Sequence, residues 1–214
     1  LAAQAGERES KESWASVLRD LKARGLKFPR LTVADGNLGI WAALGELHPA
    51  GDEQRCWNHK IVNVLDALPK KQQPEAVQSL RAMMYAETRA ACERKRDEFL
   101  LRFKKTDPKA CAALTRDWER LVSFFDYPRE HWIHLRTTNI VESPFDVVRL
   151  RTNASRRFKK TENAEAMIWK LLRVAEKSWR ALNAPHLMKE VYDGKRFQDG
   201  IAVRTKIEPI RKAA

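Results

Sequence analysis

Apolar residues recur at helical spacing near the start of the chain, at Trp14, Val17, Leu18 and Leu21, with Gly25 as a stop signal. The pattern then changes. Leu31-Thr32-Val33-Ala34 is a short apolar run between Pro29 and Asp35-Gly36, which predicts a buried strand ending in an acidic turn. Helical spacing returns at Leu38, Ile40, Trp41, Leu44 and Leu47, and His48-Pro49 closes it. Gln54 to Trp57 reads as a second short strand, and His59 to Leu68 as another helix stopped by Pro69. Helix, strand, helix, strand, helix is an α/β rhythm, implying a partly parallel sheet with helices on its faces.

Beyond Pro69 the pattern is helical throughout. Val77, Leu80, Met84, Phe99 and Phe103 keep rough helical register between Glu75 and Lys105, and Asp107-Pro108 breaks it. Cys111, Leu114, Trp118, Leu121, Val122 and Phe125 mark another amphipathic helix, ended by Asp126-Tyr127-Pro128. This stretch reads as an all-helical insertion in an α/β core. Past Arg129 a helix is predicted from Ser143-Pro144, with the proline as first helical residue and Glu142 just outside. A further helix carries Met167, Ile168, Leu171, Leu172, Val174 and Ala175, and the tail from Asn183 has weak periodicity. The expected organisation is four segments: 1–68, the insertion 69–128, a return to the core over 129–182, and a tail over 183–214.

Composition narrows the function classes. A 43% hydrophobic share in 214 residues argues against disorder throughout. No run reaches the roughly 18 apolar residues of a membrane helix. Leu1-Ala2-Ala3-Gln4 has neither an initiator Met nor a signal-peptide pattern and reads as the edge of a longer chain. Cys56, Cys92 and Cys111 are an odd, widely spaced set, which suits a reducing cytoplasm rather than a disulfide framework. The net charge is +13, and residues 149–214 hold 17 Lys/Arg against 7 Asp/Glu. Such asymmetry points to an anionic partner, DNA phosphate above all, with a merely solvated basic surface as the alternative.

Three segments, in order, carry a family likeness: Val33-Ala34-Asp35-Gly36; Arg55-Cys56-Trp57-Asn58-His59-Lys60; and His131-Trp132 through Arg136-Thr137-Thr138-Asn139-Ile140-Val141-Glu142-Ser143. Arg149 to Thr152 and Arg196 to Ile201 add to it. Together they resemble the Mutator-like transposases of bacterial insertion sequences, from about Glu12 to Val203. The resemblance implies a predominantly helical α/β fold: an incomplete ribonuclease-H-like core with the all-α insertion before the helix of the catalytic Glu. It implies a DDE-type DNA transposase that cleaves and rejoins DNA at insertion-sequence ends. Asp35 would be the second catalytic Asp and Glu142 the catalytic Glu, 107 positions later, both holding Mg²⁺ (or Mn²⁺). The family's first Asp lies on an earlier strand. None precedes Trp14, and Asp20 sits within a helix, so the chain by itself is expected to be inactive. The implied partners are double-stranded DNA, as transposon ends and target, and further copies in a homo-oligomer, in the bacterial cytoplasm at the nucleoid. A non-catalytic DNA-binding or regulatory remnant of a transposase is the alternative.

Each residue also has a plainer reading. Asp35-Gly36 is a common turn pair. Asn139 to Glu142 fits a capping box with Glu142 reaching back to the Asn139 amide. Cys56 and His59 form a C-x-x-H pair that the resemblance assigns to shaping the core or the site. With His131 and His134 they could make a zinc site, but packing of a buried thiol and bridging by histidine is the better account. Trp132 either stacks on a base near the cleaved end or fills the core. Arg136 and Asn139 either contact DNA or cap the helix. Arg149, Arg151, Arg156, Arg157, Lys159 and Lys160 form the candidate DNA track just after Glu142, or a solvated charged face.

Overall fold

The structure, a computed structural model, describes residues 10–154 and 158–203. Helix α1 (Lys11–Ala23) starts where the Ser10 hydroxyl accepts the Ser13 N–H, and the chain turns away at Gly25, which has φ +94°. Strand β1 (Leu31–Ala34) leads through the Asp35-Gly36 turn into α2 (Leu38–Leu47), capped by the Asn37 side chain on the Gly39 amide. Strand β2 (Asp52–Arg55) returns parallel to β1, with Leu31 opposite Asp52 and Ala34 opposite Arg55. A parallel pair needs such a crossover, and α2 supplies it, packed against α1. The α/β rhythm is therefore present. The second strand lies earlier than the expected Gln54 to Trp57, because Trp57 begins α3 (Trp57–Leu65).

The helical stretch is more broken than its periodicity implies. Helix α4 (Gln73–Met84) ends at Tyr85, and α5 (Arg89–Phe103) restarts where Thr88 accepts the Ala91 N–H. The next amphipathic stretch divides into α6 (Pro108–Thr115) and α7 (Trp118–Val122), separated by Asp117 at φ 62°. One apolar core runs through these helices. Leu80, Met83, Phe99, Phe103, Leu114, Leu121, Phe124 and Phe125 are all but completely buried. Each such side chain contributes about 1.5–3 kcal/mol of transfer free energy.

That core also reaches across the expected 68/69 boundary. Trp57 is fully buried in it, its indole N–H donating to the Leu121 carbonyl at 2.9 Å. Gln54, at the buried end of β2, is satisfied on both sides of its amide. Its Nε2 donates to the carbonyls of Arg55 and Leu121, and its Oε1 accepts the Phe124 N–H. The strand pair and helices α4–α7 thus form one packed unit.

A short helix, α8 (Trp132–Leu135), leads to α9 (Asn139–Ala154), which packs chiefly against α10 (Thr161–Ala175). The expected start of this helix at Ser143 is corrected: it begins at Asn139, so Glu142 lies in its first turn. The tail is ordered by specific contacts in spite of its weak periodicity. Helix α11 (Leu187–Tyr192) meets the segment just before β1, with Tyr192 Oη donating to the Phe28 carbonyl and its own carbonyl accepting from Arg30. The hairpin of β3 (Phe197–Gln198) and β4 (Ile201–Ala202) turns at Asp199-Gly200. No described helix is long and apolar enough to cross a membrane.

Candidate active site

Asp35 leaves the end of β1 exposed to solvent, and its Oδ1 accepts the Asn37 N–H at 3.0 Å. This is an Asx-type turn, so the local chemistry that makes Asp-Gly a turn pair operates here. The same hydrogen bond fixes the carboxylate's aim, with Oδ2 left for other partners. Glu142 is also half exposed, its side chain retaining 47% of its accessible surface. Two carboxylates at the surface, each with an oxygen to spare, are a donor set suited to a hard cation. Among the described residues no group of three or more His, Cys, Asp or Glu gathers at one point.

Cys56 connects the two acidic segments. Its backbone N–H donates to the Ala34 carbonyl at 2.8 Å, immediately before Asp35. Its buried sulfur accepts the Thr138 N–H at 3.4 Å and lies 3.2 Å from Thr138 Oγ1. Thr138 Oγ1 in turn donates to Glu142 Oε1. One hydroxyl has one proton, and the carboxylate is the stronger acceptor, so the thiol proton turns to the Thr138 oxygen. The result is a short relay from strand end to helix start. It is reinforced by the Trp57 N–H on the Arg136 carbonyl (2.9 Å) and by Asn58 Nδ2 on Asn139 Oδ1 (2.8 Å).

These contacts replace the expected capping box. Glu142 receives the Thr138 hydroxyl rather than reaching back to the Asn139 amide, and the Asn139 side chain is held by Asn58. His59, one helical turn after Cys56, presents Nδ1 3.9 Å from Glu142 Oε1, and that nitrogen is buried without a hydrogen bond. The C-x-x-H pair thus divides its work: the sulfur ties the backbones together and the imidazole faces the carboxylate. His131 and His134 are placed elsewhere, against the tail. His131 Nε2 lies 3.2 Å from the Ala184 carbonyl, and His134 Nε2 accepts the Asn183 N–H.

The structure places two of the candidate DNA-contact residues against aromatic side chains. Trp132 is 3% exposed, packed edge-on against Phe124 and Phe125, with its indole N–H on the Tyr127 carbonyl at 2.8 Å. It has no free face for a base. The Arg136 guanidinium is stacked among Tyr85, Phe124 and Trp132, 5.1–5.3 Å from each ring centre, and burial lowers its pKa. Its guanidinium is engaged with aromatic faces. Arg149, Arg151, Lys159 and Lys160 are exposed, Arg149 with Asp146 at 3.5 Å. Arg156 and Arg157 lie outside the described residues.

Thr138 and Arg55 are the neighbours that the sequence reading passes over. Thr138 had a signal, since a threonine just before a helix is a preferred N-cap. Arg55 had none: a charged residue ending a strand gives no sign of burial.

The chain matches the family model described as "Transposase, Mutator family" over residues 1–181. It is similar to the transposase for insertion sequence element IST2 of Acidithiobacillus ferrooxidans, at 43% identity over 92% of this chain and 67% of that protein. It is 46% identical to the transposase for IS6120 of Mycolicibacterium smegmatis, over 91% of this chain and 60% of the relative. The transposase for ISRM5 of Rhizobium meliloti is 32% identical over 92% of this chain and 50% of its own length. The chain thus spans half to two-thirds of these relatives.

Proposed function

The chain belongs to the Mutator family of transposases, and on that premise we propose that it forms the part of a DDE-type catalytic core that supplies Asp35 and Glu142. The reading extends to a ribonuclease-H-like core, of which β1, β2 and the helices around them are a portion, interrupted by the α4–α7 insertion. The observation that carries the proposal is the Cys56 node. It joins the backbone next to Asp35 to the first turn that bears Glu142, across 107 positions of sequence.

In this reading Asp35 and Glu142 hold a divalent cation of the Mg²⁺ or Mn²⁺ class, and the third carboxylate lies outside the described residues. When bound, the cation supplies Lewis-acid activation of a water or 3′-hydroxyl and stabilises the leaving oxygen of the phosphodiester. The chain's own work is positional. The Asn37 amide aims Asp35, Thr138 aims Glu142, and His59 faces Glu142 from the side of α3. Exposed cations at Arg149, Arg151, Lys159 and Lys160 contact DNA phosphates of transposon ends and target, positioning duplex without reading its sequence. Assembly of several copies on DNA belongs to the same proposal.

The test uses the longest natural reading frame that contains the chain. Asp35→Asn and Glu142→Gln each abolish Mg²⁺-dependent nicking at the insertion-sequence end and leave DNA affinity within about threefold, because neither carboxylate is a phosphate contact. Nicking at the wild-type rate in either variant removes that residue from the site.

A further inference from the structure

Arg55 ends β2 and is 8% exposed, an unusual place for a guanidinium. On one side it lies against the turn that carries Asp35. A Cβ added at Gly36 would stand 2.1 Å from Nη1, 2.3 Å from Cζ and 2.7 Å from Nη2. The guanidinium therefore occupies the space that any other residue's side chain would need, and Gly36, at φ +99°, is required twice over. On the other side Nη1 donates to Asp117 Oδ2 at 3.1 Å.

Asp117 belongs to the insertion, 82 positions after Asp35. Its backbone at φ 62° is left-handed, where glycine or asparagine sits with less strain. The carboxylate gives that position its purpose: it meets Arg55, Lys60 at 3.9 Å and Arg120 at 3.8 Å. Lys60, only 1% exposed, donates to the carbonyls of Ala113 and Arg116 at the end of α6, so its stem and charge are already placed. Arg120 also pairs with Glu53 on β2. Asp117 is thus the anion around which three cations from the strand, α3 and α7 converge, and one of those cations presses on the Asp35 turn.

We infer that Asp117 is a positioning residue for Asp35, acting through Arg55: the insertion sets the aim of the acidic turn. The inference rests on the reading of Asp35 as a metal ligand. It adds that the helical insertion is wired into the site, so that whatever binds or bends the insertion reaches the chemistry through one ion pair and the Arg55 guanidinium that lies against Gly36. The step needs no conformational machinery beyond the contacts described.

The readout is the hydrogen bond from the Asn37 N–H to Asp35 Oδ1, which reports the carboxylate's aim in the absence of metal. In this chain, Asp117→Asn keeps the size and tolerates the left-handed backbone, but weakens the hold on Arg55. Amide exchange at Asn37, followed by NMR, accelerates about tenfold, with amides of the Phe99 and Leu121 core unchanged. Arg55→Met gives the same result by removing the guanidinium itself. In the longest natural reading frame, Asp117→Asn lowers kcat for nicking by about tenfold and raises the Mg²⁺ concentration for half-maximal rate, with DNA affinity unchanged. Unchanged Asn37 exchange in a folded Asp117→Asn or Arg55→Met protein overturns the inference. So does loss of core protection in both, since the cluster would then hold the fold and not the turn. Should Asp35→Asn nick at the wild-type rate, the ligand reading fails while the exchange arm still judges the link between Asp117 and the turn.

Discussion

Helices α4–α7 and the α9–α10 pair are both built from amphipathic helices, yet they bury their apolar stripes to very different extents. In α4–α7 the stripes close on one another and on Trp57 and Trp132. Along α9 and α10 only Val148 and Leu172 are buried among the described side chains, while Phe145, Leu150, Trp169 and Val174 stand exposed. The first region is held by apolar burial. The second is fastened at its start by polar contacts, through Thr138 to Cys56 and Asn139 to Asn58. A 3.6-residue period states that a helix has an apolar face; it does not state that the same chain supplies the cover. Glu142 sits where the two regimes meet, anchored by the firm side and carried on the other.

The sharpest way to break this comparison is to truncate one buried residue in each region. Phe99→Ala lowers unfolding free energy by ~3–5 kcal/mol, as expected for a large cavity in a closed core, whereas Leu172→Ala costs ~2 kcal/mol or less. Guanidinium denaturation measures both, and equal losses would erase the distinction. Next in size, Trp132→Phe destabilises by ~1–3 kcal/mol, losing volume and the bond to the Tyr127 carbonyl, while DNA affinity of the folded protein holds. A tenfold drop in affinity without unfolding would put the indole on DNA after all.

A smaller effect follows from pH. Burial drives the Lys60 ammonium down to about 8 from 10.5. Above pH 8 the unfolded chain keeps a proton that the folded chain sheds, so stability rises with pH, by at most ~1.4 kcal/mol per unit. The raised thiol of Cys92, whose ordinary value is 9.0, acts oppositely from there upward, which leaves pH 8–9 as the window. Thermal unfolding across it, compared with Lys60→Met, which lacks the rise, checks the sign. The smallest stability change belongs to Lys159→Gln with Lys160→Gln, within about 0.5 kcal/mol. Their effect falls on DNA, where the slope of log affinity against log salt drops by roughly 1.8 if both meet phosphate. An unchanged slope sends the track elsewhere.

What was legible in the sequence follows the same division. Backbone punctuation was readable: the stop at Gly25, the acidic turn after Ala34 and the crossover of α2 all come from local chemistry, and so does the Asp35 turn itself. The start of α9 was not, because Pro144 suits a first helical position while tertiary contacts from Cys56 and Asn58 set the start at Asn139. Trp132 and Arg136 looked like DNA contacts because an indole and a guanidinium near an acidic motif serve equally well inside a core, where each satisfies the other. The burial of Arg55 depends on Asp117, far away in sequence and in a backbone conformation that no local pattern announces.

The hairpin at Asp199-Gly200 has a consequence in time. Asp199 Oδ1 accepts the Arg89 N–H at 2.6 Å, while Gly200 exchanges backbone hydrogen bonds with Phe125 and Arg129. A donor at the start of α5 thus waits for an acceptor 110 residues downstream. As the polypeptide leaves the ribosome, the aromatic side chains of α4–α7 are synthesised first, and the first turn of α5 gains this acceptor only once Asp199 has followed. The hairpin is thus a clasp that couples the aromatic centre to a late stretch of the chain, and a polypeptide ended before Asp199 lacks that bond.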